Sequence, residues 1–244
     1  MFKKPTPIVF GMLVVLVLSF VGFGIGMRIS PSVGALRALL VLDPALVLRG
    51  EQLWGVLTSW LLHSMESPFH LIFNCLSLYW FGPDCEARWG KQRFILFCLV
   101  AELVGSVFVV AVAAAGLSST PVVGASGICS ALVLSWGLHN RDRQVNFFFF
   151  PMKGIHLVFL MLAMELLNAV SFSGTSAASH FGGMAVGYLL GDASPFRKWF
   201  LQRKLKTLQS QSAALRGMRL GKGEPALRVI QGGAGRKPRK DELN

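Results

Sequence analysis

Eight polar or ionisable residues interrupt long apolar runs in this chain: His70, Asn74, Glu86, Glu102, Ser126, Glu165, Asn168 and His180. Such side chains are costly inside a membrane, so each is a functional candidate until a partner explains it. Ser126 and His180 supply a hydroxyl and an imidazole, the two groups needed for nucleophilic attack with a general base taking the proton. His70 and Asn74 stand at i and i+4 and share a helix face. A neutral imidazole and a carboxamide can each donate an N–H to a developing oxyanion. Cys75, Cys85, Cys98 and Cys129 have no metal-ligand or disulfide spacing and read as small packing residues. Neither a metal nor a cofactor is expected.

Depth groups three of these residues. Counting at ~1.5 Å per residue, Asn74 lies ~21 Å before Arg88, Ser126 ~22 Å before Arg141 and His180 ~18 Å before Asp192. Against a hydrocarbon core of about 30 Å, the three sit at a common level below one surface. Faces agree as well. His180, Gly183, Gly187 and Gly191 form one small-residue stripe, and Ser126, Ser130 and Gly137 form another, so packing the two stripes would bring Ser126 to His180. Each residue also has a plain structural reading. A Gly-x-Ser-Gly string is common in apolar helices, and Gly127 directly after Ser126 excludes the Gly-x-Ser-x-Gly elbow of soluble hydrolases. A buried serine usually bonds a carbonyl of its own helix. The functional reading rests on shared depth and face, not on any one residue.

The elements that must position these groups are apolar segments. Hydrophobic residues make up 53% of the 244 and charged residues only 15%. Six long runs, roughly 7–26, 69–86, 94–116, 124–139, 154–172 and 177–191, predict an all-α, polytopic membrane protein. The first run follows basic residues but is too long for the core of a signal peptide, and it reads as a retained helix. Basic residues are unevenly placed. With both termini inside, Lys3, Lys4, Arg88, Lys91, Arg93, Arg141, Arg143, Lys153 and the basic residues after 196 share the cytoplasmic side, against Arg28, Arg37 and Arg49 outside. The stretch 27–68, rich in Leu, Val and Trp, reads as a partly ordered membrane-facing element. Residues 1–195 therefore form the membrane domain and 196–244 a basic cytoplasmic tail. The tail opens with Phe196, Trp199, Phe200, Leu201, Leu205 and Leu208 among Arg and Lys, a pattern suited to an anionic lipid surface, and beyond Gly221 it reads as disordered. Lipid electrostatics account for the tail without a nucleic-acid partner.

Trp54, Thr58 and His63, then His70-x3-Asn74, Gly82, Glu86-x-Arg88-x-Gly90, Gly124-Ala125-Ser126-Gly127 and His180-x2-Gly183-x3-Gly187 follow one another in this order. In order and spacing they resemble the rhomboid family of intramembrane proteases, over roughly residues 50–192. The resemblance implies a six-helix rhomboid-like bundle with a Ser–His dyad and no carboxylate third member. Ser126 would be the nucleophile and His180 the base. His70, Asn74 and the backbone N–H of Ser126 would form the oxyanion pocket. Glu86, Gly124, Gly127, Gly183 and Gly187 would support the site. The implied substrates are transmembrane helices of other proteins, with the fifth helix gating their lateral entry and water entering past loop 173–179. Two positions depart from the pattern: Ser130 replaces an aromatic that packs on the catalytic histidine, and Trp54-Gly55 replaces Trp-Arg. Glu102 and Glu165 receive no role from the resemblance and read as structural hydrogen-bonding groups.

Two other functions compete. A catalytically inactive rhomboid-like binder of transmembrane clients would not need Ser126, His180, His70 and Asn74 together. A transporter relaying protons through Glu102, Glu165 and His180 would be expected to show an internal repeat, and the sequence has none. The short length without a transit peptide favours a bacterial inner membrane.

Overall fold

The computed structural model describes residues 4–147, 150–170 and 174–220. Its first compact unit comprises residues 1–198. Each of the six apolar runs is helical here: α1 (Pro7–Ile29), α5 (Pro68–Trp89), α6 (Lys91–Ala114), α7 (Ser126–His139), α8 (Gly154–Val170) and α9 (Gly174–Leu190). The stretch between α1 and α5 folds into α2 (Pro31–Leu40), α3 (Pro44–Leu48), α4 (Gly55–Thr58) and a 3-10 turn at Ser59–Leu61. Of the described helices, α1 and α6 are long and apolar enough to cross a membrane, whereas α7 and α8, at 14 and 17 residues, are apolar but shorter. Six spanning helices are thus not established by length and hydropathy. Polar residues and glycines dilute α5 and α9.

Helix starts follow sequence punctuation. Proline opens α1, α2, α3 and α5, where its missing N–H costs nothing. At α1 the free N–H groups meet the carboxylate of Glu86: the amides of Ile8 and Val9 donate to it at 3.2 and 3.0 Å, as does the Thr6 hydroxyl. Glu86 is therefore a cap for the first helix, built from α5. Gly90, at φ 77°, alone joins α5 to α6. Residues 140–153, expected as a plain loop, contain an antiparallel hairpin in which β1 (Gln144–Phe147) pairs with β2 (Phe150–Lys153), Gln144 opposite Lys153 and Phe147 opposite Phe150. The expected loop 173–179 is also shorter, because α9 already begins at Gly174.

Helix α9 packs between α6 and α7. The approach is backbone on backbone. A Cβ on Gly183 would collide with the Gly127 carbonyl, one on Gly187 would lie 2.5 Å from the Ala131 oxygen, and one on Gly182 would lie 2.8 Å from Gly105 of α6. The close contact of α7 with α9 runs through Gly127, Ala131 and Ser135 rather than through Ser130 and Gly137 of the expected stripe Ser126, Ser130 and Gly137. Gly137 instead admits Val158 and Gly154 of α8. Helices α5 and α9 are tied at their C-terminal ends: Arg88 Nε lies 3.0 Å from Asp192, whose carboxylate also takes the Trp89 indole at 2.8 Å and pairs with Arg197. Burial would raise the Asp192 pKa, but the Trp89 donor and the guanidiniums of Arg88 and Arg197 outweigh it and hold the group below its usual value. All four cysteines are free, and three are buried.

The second unit comprises residues 199–244, of which 199–220 are described, as the continuation of α10 (Pro195–Leu220). Trp199, Phe200, Leu201, Leu205 and Leu208 are exposed along it, and the Arg203 guanidinium sits 3.9 Å from the centre of the Trp199 ring. The tail beyond Gly221, expected to lack structure, lies outside the described residues.

Gly187→Val forces a branched side chain into the α7 backbone and should lower stability by about 2 kcal/mol or more. Gly22→Val, at a position with nothing within 4 Å, should leave it nearly unchanged. Thermal unfolding of the two variants in detergent measures the difference.

Candidate active site

Ser126 is the first residue of α7, so its backbone N–H and the next ones have no partner within the helix. The chain reaches it along the α2–α5 stretch. Leu42 and Val122 exchange backbone bonds of 2.8 and 3.1 Å, and the Gly124 amide donates to the Ser59 carbonyl at 3.0 Å. Ser59 is itself fixed, since its hydroxyl donates to Glu102 of α6 at 2.7 Å. Glu102 is thus the anchor of this stretch, which answers why an acidic residue interrupts that apolar run. Gly124 adopts φ 118°, and a Cβ there would lie 2.6 Å from the His70 ring. Only glycine lets His70 close on the turn before Ser126.

Helix α9 presents His180 to this turn, with Nε2 2.7 Å from Ser126 Oγ. The other ring nitrogen, Nδ1, lies 2.7 Å from Glu165 Oε2 of α8, and Asn168 Nδ2 donates to the same oxygen at 3.4 Å. An ionised carboxylate only accepts, so Nδ1 carries the proton and Nε2 accepts from the serine hydroxyl. His70 and Asn74, one turn apart on α5, both lie against Gly124. The Ser64 amide makes a long 3.5 Å donation to His70 Nδ1, which leaves Nε2 as the N–H donor. The sequence-predicted residues Ser126, His180, His70 and Asn74 therefore come together, and Gly127, Gly183 and Gly187 sit where α7 and α9 touch. Glu86 lies apart, at the start of α1.

His63 was part of the sequence pattern without a role. It is fully buried, its Nε2 lies 3.0 Å from Asn74 Nδ2, and its ring centroid is 5.1 Å from that of His70. It backs both donors. Burial first, and the His70 charge second, lower its pKa to about 4, so it stays neutral at neutral pH. The Trp54-Gly55 departure also has a cause. A Cβ on Gly55 would lie 2.7 Å from the Val41 carbonyl, and the Trp54 indole donates to Leu39 O at 2.6 Å, so this chain closes the stretch by backbone contact.

A cavity of about 460 Å³ opens beside Ser126 and His180, walled by Phe73, Phe81, Leu157, Met161 and Met164. Ser130 faces it, leaving open the place that a larger side chain would fill. Among the described residues no group of His, Cys, Asp or Glu could hold a metal ion.

Because the folded-state pKa of His63 is lower than its unfolded value, its contribution to stability is complete above pH 6.5 and is lost as pH falls toward 4. Wild type should lose roughly 1–3 kcal/mol through this window, and His63→Asn should lose less. Unfolding temperatures measured from pH 4 to 7.5 give the comparison.

A family profile described as a Rhomboid domain matches residues 50–194, more than half of the chain. RHOMBOID-like protein 4 of Arabidopsis thaliana is 30% identical over 179 residues, covering 72% of this chain and 43% of that protein. Rhomboid protease GluP of Bacillus subtilis (strain 168) is 29% identical over 154 residues, covering 62% of this chain and 28% of GluP. Rhomboid protease AarA of Providencia stuartii is 26% identical over 158 residues, covering 57% and 55%. The chain thus spans less than half the length of the first two relatives. Plant and bacterial proteins both occur among these relatives. With the profile matching across the helices that carry the signature residues, the chain belongs to the rhomboid family.

Proposed function

We propose that this protein is an intramembrane serine endopeptidase that cleaves transmembrane segments of other proteins. The observation that carries the reading is the 2.7 Å contact between Ser126 Oγ and His180 Nε2 at the head of α7, opening on a cavity. Ser126 attacks the scissile carbonyl while Nε2 takes its proton. The oxyanion forms against the start of α7, where the Ser126 N–H, the positive end of the helix dipole and the side chains of His70 and Asn74 converge. The imidazolium then protonates the leaving amine, and water repeats the sequence on the acyl-enzyme. No cofactor is needed for these steps.

The membrane setting follows from what surrounds the site. Phe10, Leu18 and Ile25 of α1, Leu96 and Val107 of α6, and Phe159, Leu166 and Leu167 of α8 are large, apolar and exposed, a surface suited to lipid rather than water. At 14 residues α7 reaches only about 21 Å from its inner end, which sets Ser126 below the outer boundary of a ~30 Å core yet within reach of outer water. A helical substrate has its carbonyls bonded internally and must unwind locally before attack. Segments with residues of poor helix propensity should therefore be cut preferentially. Helix α8 buries only Gly154, Leu157 and Val158 and lines the cavity, which supports its displacement to admit a substrate sideways. Arg88, Lys91, Arg93, Arg141, Arg143 and Lys153 favour cytoplasmic termini by the positive-inside rule, and exposed apolar residues of α10 among basic ones suit an anionic lipid surface.

Ser126→Ala should reduce cleavage of a co-expressed single-span reporter by a factor on the order of 10⁴ or more, with insertion and unfolding temperature unchanged. Undiminished cleavage would remove the assignment.

A further inference from the structure

We propose that Glu165 is a positioning residue that completes a Ser126–His180–Glu165 triad in this chain. The proposal rests on the protease reading and goes beyond the dyad that the family resemblance implies.

Two observations carry it. First, the contacts run in series: Ser126 Oγ to His180 Nε2 at 2.7 Å, then His180 Nδ1 to Glu165 Oε2 at 2.7 Å. Second, both partners are withdrawn from solvent, with side chains only 14% and 13% exposed, so water does not replace the carboxylate easily. The imidazole is held at its two nitrogens, and Glu165 is the partner of the one that does not face the serine.

The chemistry follows from the geometry. The carboxylate keeps the proton on Nδ1 and so keeps the Nε2 lone pair on Ser126 Oγ–H. As Oγ bonds the carbonyl carbon, its proton moves to Nε2 and the ring becomes an imidazolium facing a carboxylate. Collapse breaks the C–N bond and passes the Nε2 proton to the amine. In deacylation water gives its proton to Nε2, its oxygen bonds the acyl carbon, the Oγ–C bond breaks, and Oγ recovers the proton. Glu165 keeps its charge throughout and accepts the Nδ1–H bond, in the way the aspartate of a serine-protease triad does.

Other groups around His180 do not supply this charge. His70 approaches from α5 and is near enough for its charge to act on His180. Helix α7 contributes Ser126 and Cys129, and Glu102 of α6 is engaged by Ser59. Asn168 of α8 is neutral and bonds Glu165. Because Glu165 sits on α8, the alignment of His180 depends on where that helix stands.

The test uses the full chain in liposomes and a single-span fluorescent reporter, with kcat and KM measured from pH 5 to 9. Glu165→Gln should lower kcat at least about 30-fold with KM within about twofold, and should move the acid limb of the profile down by about one pH unit, because the imidazolium loses its carboxylate. Glu165→Asp should recover part of kcat and of the limb. Where Glu165→Gln is too slow to profile, ring titration by NMR of histidine-labelled protein, assigned by its loss in His180→Ala, should show the same downward move. An unmoved acid limb or ring titration overturns the triad, whether activity is kept or is lost together with the unfolding temperature. Ser126→Ala runs alongside: cleavage surviving there removes the protease reading itself, whereas an inactive Ser126→Ala with an unperturbed Glu165→Gln leaves a dyad.

Discussion

Direct backbone contact between α7 and α9 is the constraint on which the site depends. Ser126 and His180 lie on different helices, and a 2.7 Å bond between them requires the helix axes to stand closer than ordinary side chains permit. Gly183 against Gly127 and Gly187 against Ala131 remove that spacing, and Gly182 against Gly105 does the same toward α6. In lipid there is little hydrophobic force to press helices together, so close packing and buried hydrogen bonds must do it. The small residues that make the contact possible therefore also help set the distance between Ser126 and His180.

Polar groups in the apolar body divide by what they hold. Glu86 caps α1, Glu102 secures Ser59 and through it Gly124, and Asp192 gathers Arg88, Trp89 and Arg197 where α5 and α9 end. Each satisfies donors that would otherwise be stranded, and each joins elements distant in sequence. Together they fix the frame in which the turn before Ser126 is drawn against His70. Glu165 differs from these three because its partner is the imidazole that faces the serine.

Helix α8 has few buried residues and a broad exposed apolar face, yet it supplies Glu165 and much of the cavity wall. The carboxylate partner of His180 and the lining of the cavity are thus carried by one helix.

The sequence by itself determined where the long apolar helices would fall and which polar side chains were candidates for chemistry. Runs of apolar residues leave the backbone no partner but itself, and prolines and Gly90 mark where those runs begin and turn. Counting residues from charged ends also placed Asn74, Ser126 and His180 at one depth, because helical rise is constant. The same count applied to Glu165, eleven residues into α8, gives ~17 Å and would have set it beside His180. Only the tertiary structure decided which faces meet. It put Gly127, Ala131 and Ser135 against α9 in place of Ser130 and Gly137, seated Glu102 on Ser59 rather than in a relay, and brought Glu165 to His180. Rise along a helix is local and readable, whereas rotation about its axis is set by how several helices fill space together.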